Sequence, residues 1–276
     1  VNTPLIKWTG SKRPIAAKIT SYFPKEIETY YEPFVGGGSV FFQLLKDNVD
    51  VKKFKLSDKN DSLIDILNIV KDNPQELILS YNDKWDKLQK DSNFFYTERV
   101  IYNKTKDPLI FYFLTRTCYN GTIRYNKRGE FNTSHHFGRT GMHPKKVEKV
   151  ILYYFDLMKG KDIDFTCTSF ENISPIDNKD VVYLDPPYTN TKALYFGNIS
   201  FDGLLSWIDK LPCSWFMNIN GVNSKDNEEA ISIEYTGKEI LSSGNSSFSR
   251  MKGKSVDVGE YFYYKYKTPA IKPTSL

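Results

Sequence analysis

Cysteine is scarce: Cys118, Cys167 and Cys213 stand far apart in 276 residues. An odd, scattered set of this kind predicts neither a disulfide framework nor a zinc site. No apolar run approaches the length needed to cross a bilayer, and there is no low-complexity tract or internal repeat. The opening stretch VNTPLIKWTG lacks the apolar core of a signal peptide. These absences lead us to expect a cytoplasmic protein with no membrane partner. Histidine is sparse too. His135 and His136 are followed seven residues later by His143, with no good fourth ligand, so no metal centre is expected. The net charge of +5 is modest and points only weakly to a polyanionic partner.

The distribution of that charge says more. Between Arg116 and Lys146 the bases are Arg116, Arg124, Lys127, Arg128, Arg139, Lys145 and Lys146, against the single acid Glu130. A surface stripe of this composition would track phosphates, or it would simply be a solvated basic face.

Residues 30–70 alternate between a short strand (YYEPF), a glycine turn, a helix (SVFFQLLKDN), a strand (FKLSD) and a helix (SLIDILNIVKDN), the pattern of parallel βαβ units. Residues 75–115 are amphipathic and helical, with Trp85, Leu88 and the runs FFYTERVIYN and LIFYFLTR supplying apolar faces. From 118 to 142 short polar and aromatic pieces split by Asn-Gly and Arg-Gly predict a hairpin and an extended loop. A helix (PKKVEKVILYYFDLMKG) follows, then strands at IDFTCTSF, DVVYLD, SWFMNIN and EYFYYKY. The expected fold class is α/β. A sheet domain over 1–72 and 150–267 carries a helical-and-hairpin insert over 73–149 and a loose tail over 268–276.

The turn EPFVGGGSVFF puts Gly36, Gly37 and Gly38 between strand and helix, where backbone can approach a ligand and helix N–H groups are free. Asp58 closes the next strand, where an acid can take ribose hydroxyls. This pattern alone fits a nicotinamide enzyme, an adenosyl-cofactor enzyme or a tight turn in a core. Phe41 fills the place of the third glycine of a dinucleotide fingerprint. A second glycine turn, KWTGSKRP, adds Trp8 and Lys12, an aromatic face for an adenine and a cation for a carboxylate. Together they suit an amino-acid-bearing nucleoside.

The segments KWTGSK, EPFVGGGSVFF, LSDKN, YNGTIRYNKRGEFN and DPPY, in this order, resemble the DNA adenine-N6 methyltransferases of the Dam type, the D12 class. The resemblance runs from about Lys7 to the final aromatic strand. It implies a Rossmann-like S-adenosylmethionine-dependent sheet with an inserted target-recognition domain, double-stranded DNA as partner, S-adenosylhomocysteine as product, and no metal. It assigns Trp8, Gly10, Lys12, Glu32, Pro33, Phe34, Gly36, Gly38, Ser39, Asp58, Phe170 and Asp185 to the cofactor. The action would be methylation of a flipped-out adenine within a short site.

Catalysis would fall to Asp185, Pro186, Pro187 and Tyr188. The exocyclic amine of adenine is a poor nucleophile because its lone pair is delocalised into the ring. Asp185 and the Pro186 carbonyl would accept its two N–H bonds and free that lone pair. The prolines fix the carbonyl by fixing φ, and Tyr188 stacks on the base. In the basic insert, Arg124 would read a guanine, Asn120 a base or phosphate, and Tyr119 would wedge into the stack. Lys127, Arg128 and Arg139 would position the backbone. The resemblance extends the DNA contacts to Thr122, Asn126, Asn132, His135 and His136. Dam proteins usually carry Leu where this chain has Thr122 and FNVPFG where it has FNTSHHFG, so the site is GATC or a related short sequence. Action as a monomer, and at the system level beside a cognate restriction endonuclease, fits these features.

Other readings compete. The segments PCS and ENI look like cytosine-C5 motifs, but they occur in the reverse of that family's order, and Cys213 begins an apolar strand. An RNA or protein-glutamine methyltransferase shares the Pro-Pro-Tyr turn, and the basic insert favours DNA over both. A DNA-binding protein without catalysis sits poorly with intact Trp8, Lys12, Asp58 and Asp185. A nicotinamide dehydrogenase explains neither DPPY nor the insert.

Overall fold

The run Val181–Leu184 has no polar face, and a strand of that kind must be covered on both sides. In the computed structural model it lies in the middle of the sheet with all of its residues buried. The model describes residues 3–136, 138, 141–187, 200–220, 231–245 and 257–267, apart from the side chains of 220, 242–245 and 257–259. The described strands are β1 (Glu26–Glu32), β2 (Asp50–Asp58), β3 (Ile163–Cys167), β4 (Val181–Leu184), β5 (Ser214–Asn220), β6 (Gly237–Asn245) and β7 (Asp257–Lys265). Their order is β3-β2-β1-β4-β5-β7-β6. The first five in chain order are parallel, and β7 lies antiparallel between β5 and β6. This is a Rossmann-like α/β sheet.

The chain turns outward in both directions from β1 and β4, so their carboxyl ends form the switch point at which open α/β sheets bind ligands. One residue sets the start of β4. The carboxylate of Asp180 accepts from Thr29 N on β1 at 3.0 Å and from Ile176 N and Asp177 N at 3.1 and 3.0 Å. The turn into β4 is thereby clamped to its neighbour, which fixes how far Asp185 projects beyond the sheet.

Alternate residues of β4 serve opposite faces, as pleating requires. Val181 and Tyr183 join the core beneath α2 (Ser39–Asp47) and α3 (Asp61–Asp72), with Phe41, Leu63 and Leu67. Val182 and Leu184 join Leu204, Leu205 and Ile208 of α8 (Phe201–Asp209). Helix α3 starts where Asn60 accepts from Leu63 N at 3.0 Å, a side-chain cap immediately after the end of β2.

The segment after α3 supplies α4 (Pro74–Lys90), α5 (Phe94–Thr105) and α6 (Pro108–Thr117), and Leu77, Tyr81 and Phe111 extend the same core. Helix α7 (Pro144–Met158) runs unbroken through residues 149 and 150, where the sequence suggested a boundary. The short α1 (Ala16–Thr20), α8 and β6 were not anticipated. Strand β1 ends at Glu32, leaving Pro33 and Phe34 to the turn, because Pro33 has no N–H for a ladder. The expected hairpin is held by two isolated bridges, Cys118 with His135 and Tyr125 with Phe131, rather than by a continuous ladder.

Candidate active site

A cleft enclosing about 900 Å³, its open mouth included, lies at the switch point. Three segments distant in sequence build its floor: the turn around Trp8 to Lys12, the turn after β1 and the end of β2. Gly36 has φ of +48°, and a Cβ there would stand 2.8 Å from Nε1 of Trp8, so the indole packs directly on bare backbone. Ser11 and Ser39 tie the two glycine turns through their hydroxyls at 2.7 Å. Glu32, Phe34, Gly10, Ser39 and Asp58 line the cleft, whereas Pro33 and Gly38 shape the turn behind it. Phe170 is buried behind Phe34, ring centroids 5.8 Å apart, and does not line the cleft.

Asp58 is anchored on backbone. One oxygen accepts from Gly36 N at 3.1 Å, the other from Asn60 N at 3.0 Å. Burial pushes its carboxyl up, while hydrogen bonds from the backbone of Asn60, Gly36 and Lys59 pull it down. Glu32 is more strongly affected. Burial, reinforced by the Asp185 charge, drives its carboxyl up to about 8, against the opposing pull of the Tyr30 hydroxyl and the Phe41 N–H. The Tyr30 hydroxyl donates to Glu32 Oε2 at 2.8 Å.

Asp185 follows β4 and meets a buried cation. Lys12 Nζ lies 2.9 Å from Asp185 Oδ1 and 3.7 Å from Glu260 Oε1, and donates to the Gly10 carbonyl at 3.0 Å. Sequence reasoning gave this lysine to a cofactor carboxylate; the structure seats it on the acid at the end of β4. Pro186 and Pro187 line the cleft beside Asp185, and Tyr188 falls outside the described residues. Behind them, Tyr183 donates to Asn218 Oδ1 at 2.9 Å and Asn218 Nδ2 donates to Glu260 Oε2 at 3.4 Å. Asn218 and Glu260 were not singled out from the sequence, and neither were Asn60, Tyr125 and Tyr183 of the cleft wall.

The basic segment presents a mixed face. Tyr119 is 47% exposed and stacks on His136 with ring centroids 5.0 Å apart. Asn120, beside it, has φ of +55°. Arg124 is exposed and steadied by Asn132, whose Oδ1 accepts from its Nε at 2.8 Å. Lys127 and Arg128 are exposed at the hairpin tip. Asn126 shapes that tip, since its Oδ1 accepts from Arg128 N and Glu130 N at 2.9 and 3.0 Å. Thr122 is half-buried, and its carbonyl accepts from the Thr133 hydroxyl at 2.8 Å. His135 is only 4% exposed and packs on Phe95, so it presents no edge to a ligand, and burial pushes its imidazole pKa down. Arg139 lies outside the described residues.

The model of the D12 class N6 adenine-specific DNA methyltransferases matches residues 8–202, a span that holds both glycine turns, Asp58, the basic segment and Asp185. The chain belongs to this family. It is therefore an adenine-specific DNA methyltransferase acting at N6, with DNA as substrate, and the family implies use of S-adenosylmethionine. It is 36% identical to the type II methyltransferase M.MjaIII of Methanocaldococcus jannaschii over 67% of this chain and 68% of that one. It is also 36% identical to the DNA adenine methylase of Escherichia coli K12, over 70% and 67%. The type II methyltransferase M.FokI of Planomicrobium okeanokoites matches 94% of this chain at 28% identity, and that match spans 42% of the longer protein. Among the described residues no helix is long and apolar enough to cross a membrane, and no group of three or more His, Cys, Asp or Glu is placed to hold a metal ion.

Proposed function

We propose that the switch-point cleft holds S-adenosylmethionine and that Asp185, Pro186, Pro187 and Tyr188 hold the target adenine at its rim. The Lys12–Asp185 ion pair carries this reading, because it fixes an acceptor at the mouth of a cleft walled by glycine backbone and an indole. The lining fits the cofactor. Trp8, packed on the bare backbone of Gly36, offers a flat face for a purine, and Asp58 lines the cleft as an acceptor for ribose hydroxyls. When bound, S-adenosylmethionine supplies a methyl group already activated on a sulfonium.

The chain's own part is alignment and electrostatics. Asp185 and the Pro186 carbonyl accept the two N6–H bonds, turning the nitrogen lone pair out of conjugation. Asp185 then takes the proton that N6 sheds once methylated. Lys12 keeps Asp185 oriented, and Tyr188 stacks on the extruded base.

The insert, residues 73–149, is the target-recognition part. Tyr119 wedges where the adenine leaves, and Arg124, held by Asn132, reads a guanine. Lys127, Arg128, His136 and Arg139 contact the backbone, and Asn120 a base or phosphate. The recognition sequence is GATC or a related short site, with Thr122 altering the apolar contact that Leu makes in Dam proteins. We further propose that the enzyme works as a monomer in the cytoplasm, without a metal, and at the system level beside a restriction endonuclease. The test is methylation of an unmodified plasmid with labelled S-adenosylmethionine, followed by base analysis and single-molecule mapping. N6-methyladenine confined to one short motif is expected. Label spread over unrelated sequences would overturn the site-reading assignment.

A further inference from the structure

Tyr125 belongs to two places at once. In sequence it adjoins Arg124, in the hairpin assigned above to DNA; in space its ring lines the cofactor cleft, 8% exposed. Its hydroxyl accepts from Asn60 Nδ2 at 3.1 Å. Asn60 in turn donates its backbone N–H to Asp58 Oδ1 at 3.0 Å and caps α3 through Leu63 N. On the other side Tyr125 bridges to Phe131, and the Arg124 carbonyl accepts from Asn132 N at 3.0 Å. Asn132 also braces the Arg124 guanidinium. A short run of contacts therefore leads from the acid at the end of β2 to the guanidinium that faces DNA.

We propose that Tyr125 is a positioning residue that couples occupancy of the cofactor cleft to base reading by Arg124. The inference rests on the assignments of the cleft to S-adenosylmethionine and of the hairpin to DNA. The hairpin has two isolated bridges and no ladder of its own, so its order depends on anchors such as Tyr125. A ligand held at Asp58 steadies Asn60 and, through the Asn60–Tyr125 hydrogen bond, the tyrosine, and the strap between Arg124 and Asn132 inherits that order. The coupling is reciprocal: a duplex bound at Arg124 tightens the cleft by the same factor.

The experiment measures binding of a fluorescent duplex carrying the mapped site, with and without saturating S-adenosylhomocysteine. The intact protein is compared with Tyr125→Phe and with Asn60→Ser. Serine keeps an oxygen for the α3 cap but is too short to reach Tyr125. The intact protein is expected to bind the duplex about fivefold or more tightly with the nucleoside present. Both variants should bring that ratio close to one. A purely structural role would weaken binding equally in both conditions and leave the ratio intact, which overturns the proposal; so does a ratio of one in the intact protein. Calorimetric titration of the intact protein with S-adenosylhomocysteine separates the two levels. No binding there sinks the cofactor assignment, whereas binding without coupling sinks only the role of Tyr125.

Discussion

Glu32→Gln tests whether the carboxyl beside the glycine turn is neutral in the folded protein before any cation arrives. Glu32 is 2% exposed, and burial together with the neighbouring Asp185 charge raises it from 4.5 to about 8. The unfolded chain releases this proton above its ordinary pKa, while the folded chain keeps it up to about 8. Folding therefore becomes less favourable as pH climbs through that window and levels off above it. At about 1.4 kcal/mol for each pKa unit the full cost is on the order of 3–5 kcal/mol. Glutamine has nearly the same shape, still accepts from the Tyr30 hydroxyl and never ionises. Urea denaturation of both proteins without cofactor, at pH 5 and at pH 8, reads the difference. The variant should gain on the parent by roughly 3 kcal/mol between those conditions. A stability difference that stays flat across the range would falsify the assignment, because Glu32 would then already be ionised in the fold.

Other outcomes follow from the geometry. Asp185→Ala should lower methyl transfer by about a hundredfold or more while duplex binding in a gel-shift assay persists, since one acceptor for the extruded base is lost and the basic segment keeps its hold on the duplex. Arg124→Ala should cost about 1–3 kcal/mol at one base pair, seen as relaxed preference across a set of singly altered duplexes. Equal weakening on every duplex would make Arg124 a phosphate contact instead. Gly36→Ala places a Cβ 2.8 Å from Trp8 Nε1 at a φ of +48°. It should lose about 1–3 kcal/mol of stability in urea and fail to bind S-adenosylhomocysteine calorimetrically, and normal affinity would remove Gly36 from the cofactor wall.

The parts of the site that sequence revealed are those carried by local motifs. Gly36 in the turn after β1, Asp58 at the end of β2 and Asp185 just after β4 each sit in a local pattern that states its own purpose, and strand β5 appears over the residues expected for it. Strand β6 escaped because GKEILSSGN has little apolar content; it is an edge strand, and Ile240 on it is 67% exposed. Glu260 and Asn218 escaped for another reason. They meet because β7 runs antiparallel to β5, with Asn218 opposite Phe262. No spacing along the chain announces a register between strands so far apart. The partner of Lys12 was hidden in the same way, since a buried lysine takes whichever carboxylates the sheet order brings to it. Tyr125 had a local signal, an inward position alternating with exposed Arg124. It was overshadowed by the guanidinium beside it.

The placement of β7 has a consequence for biosynthesis. Every motif that marks the family lies upstream of it, so a nascent chain that has left the ribosome through residue 202 holds the matched segment. Yet such a chain has no Glu260 to share Lys12 with Asp185, and once β5 has followed, it stays an open sheet edge until β7 arrives. Open edges invite pairing with other chains, and pairings between distant segments form late and slowly. The newborn enzyme therefore passes through an interval in which its recognisable parts are complete but the sheet edge beside them is not. The final strand closes that edge and completes the clasp on the lysine in a single event.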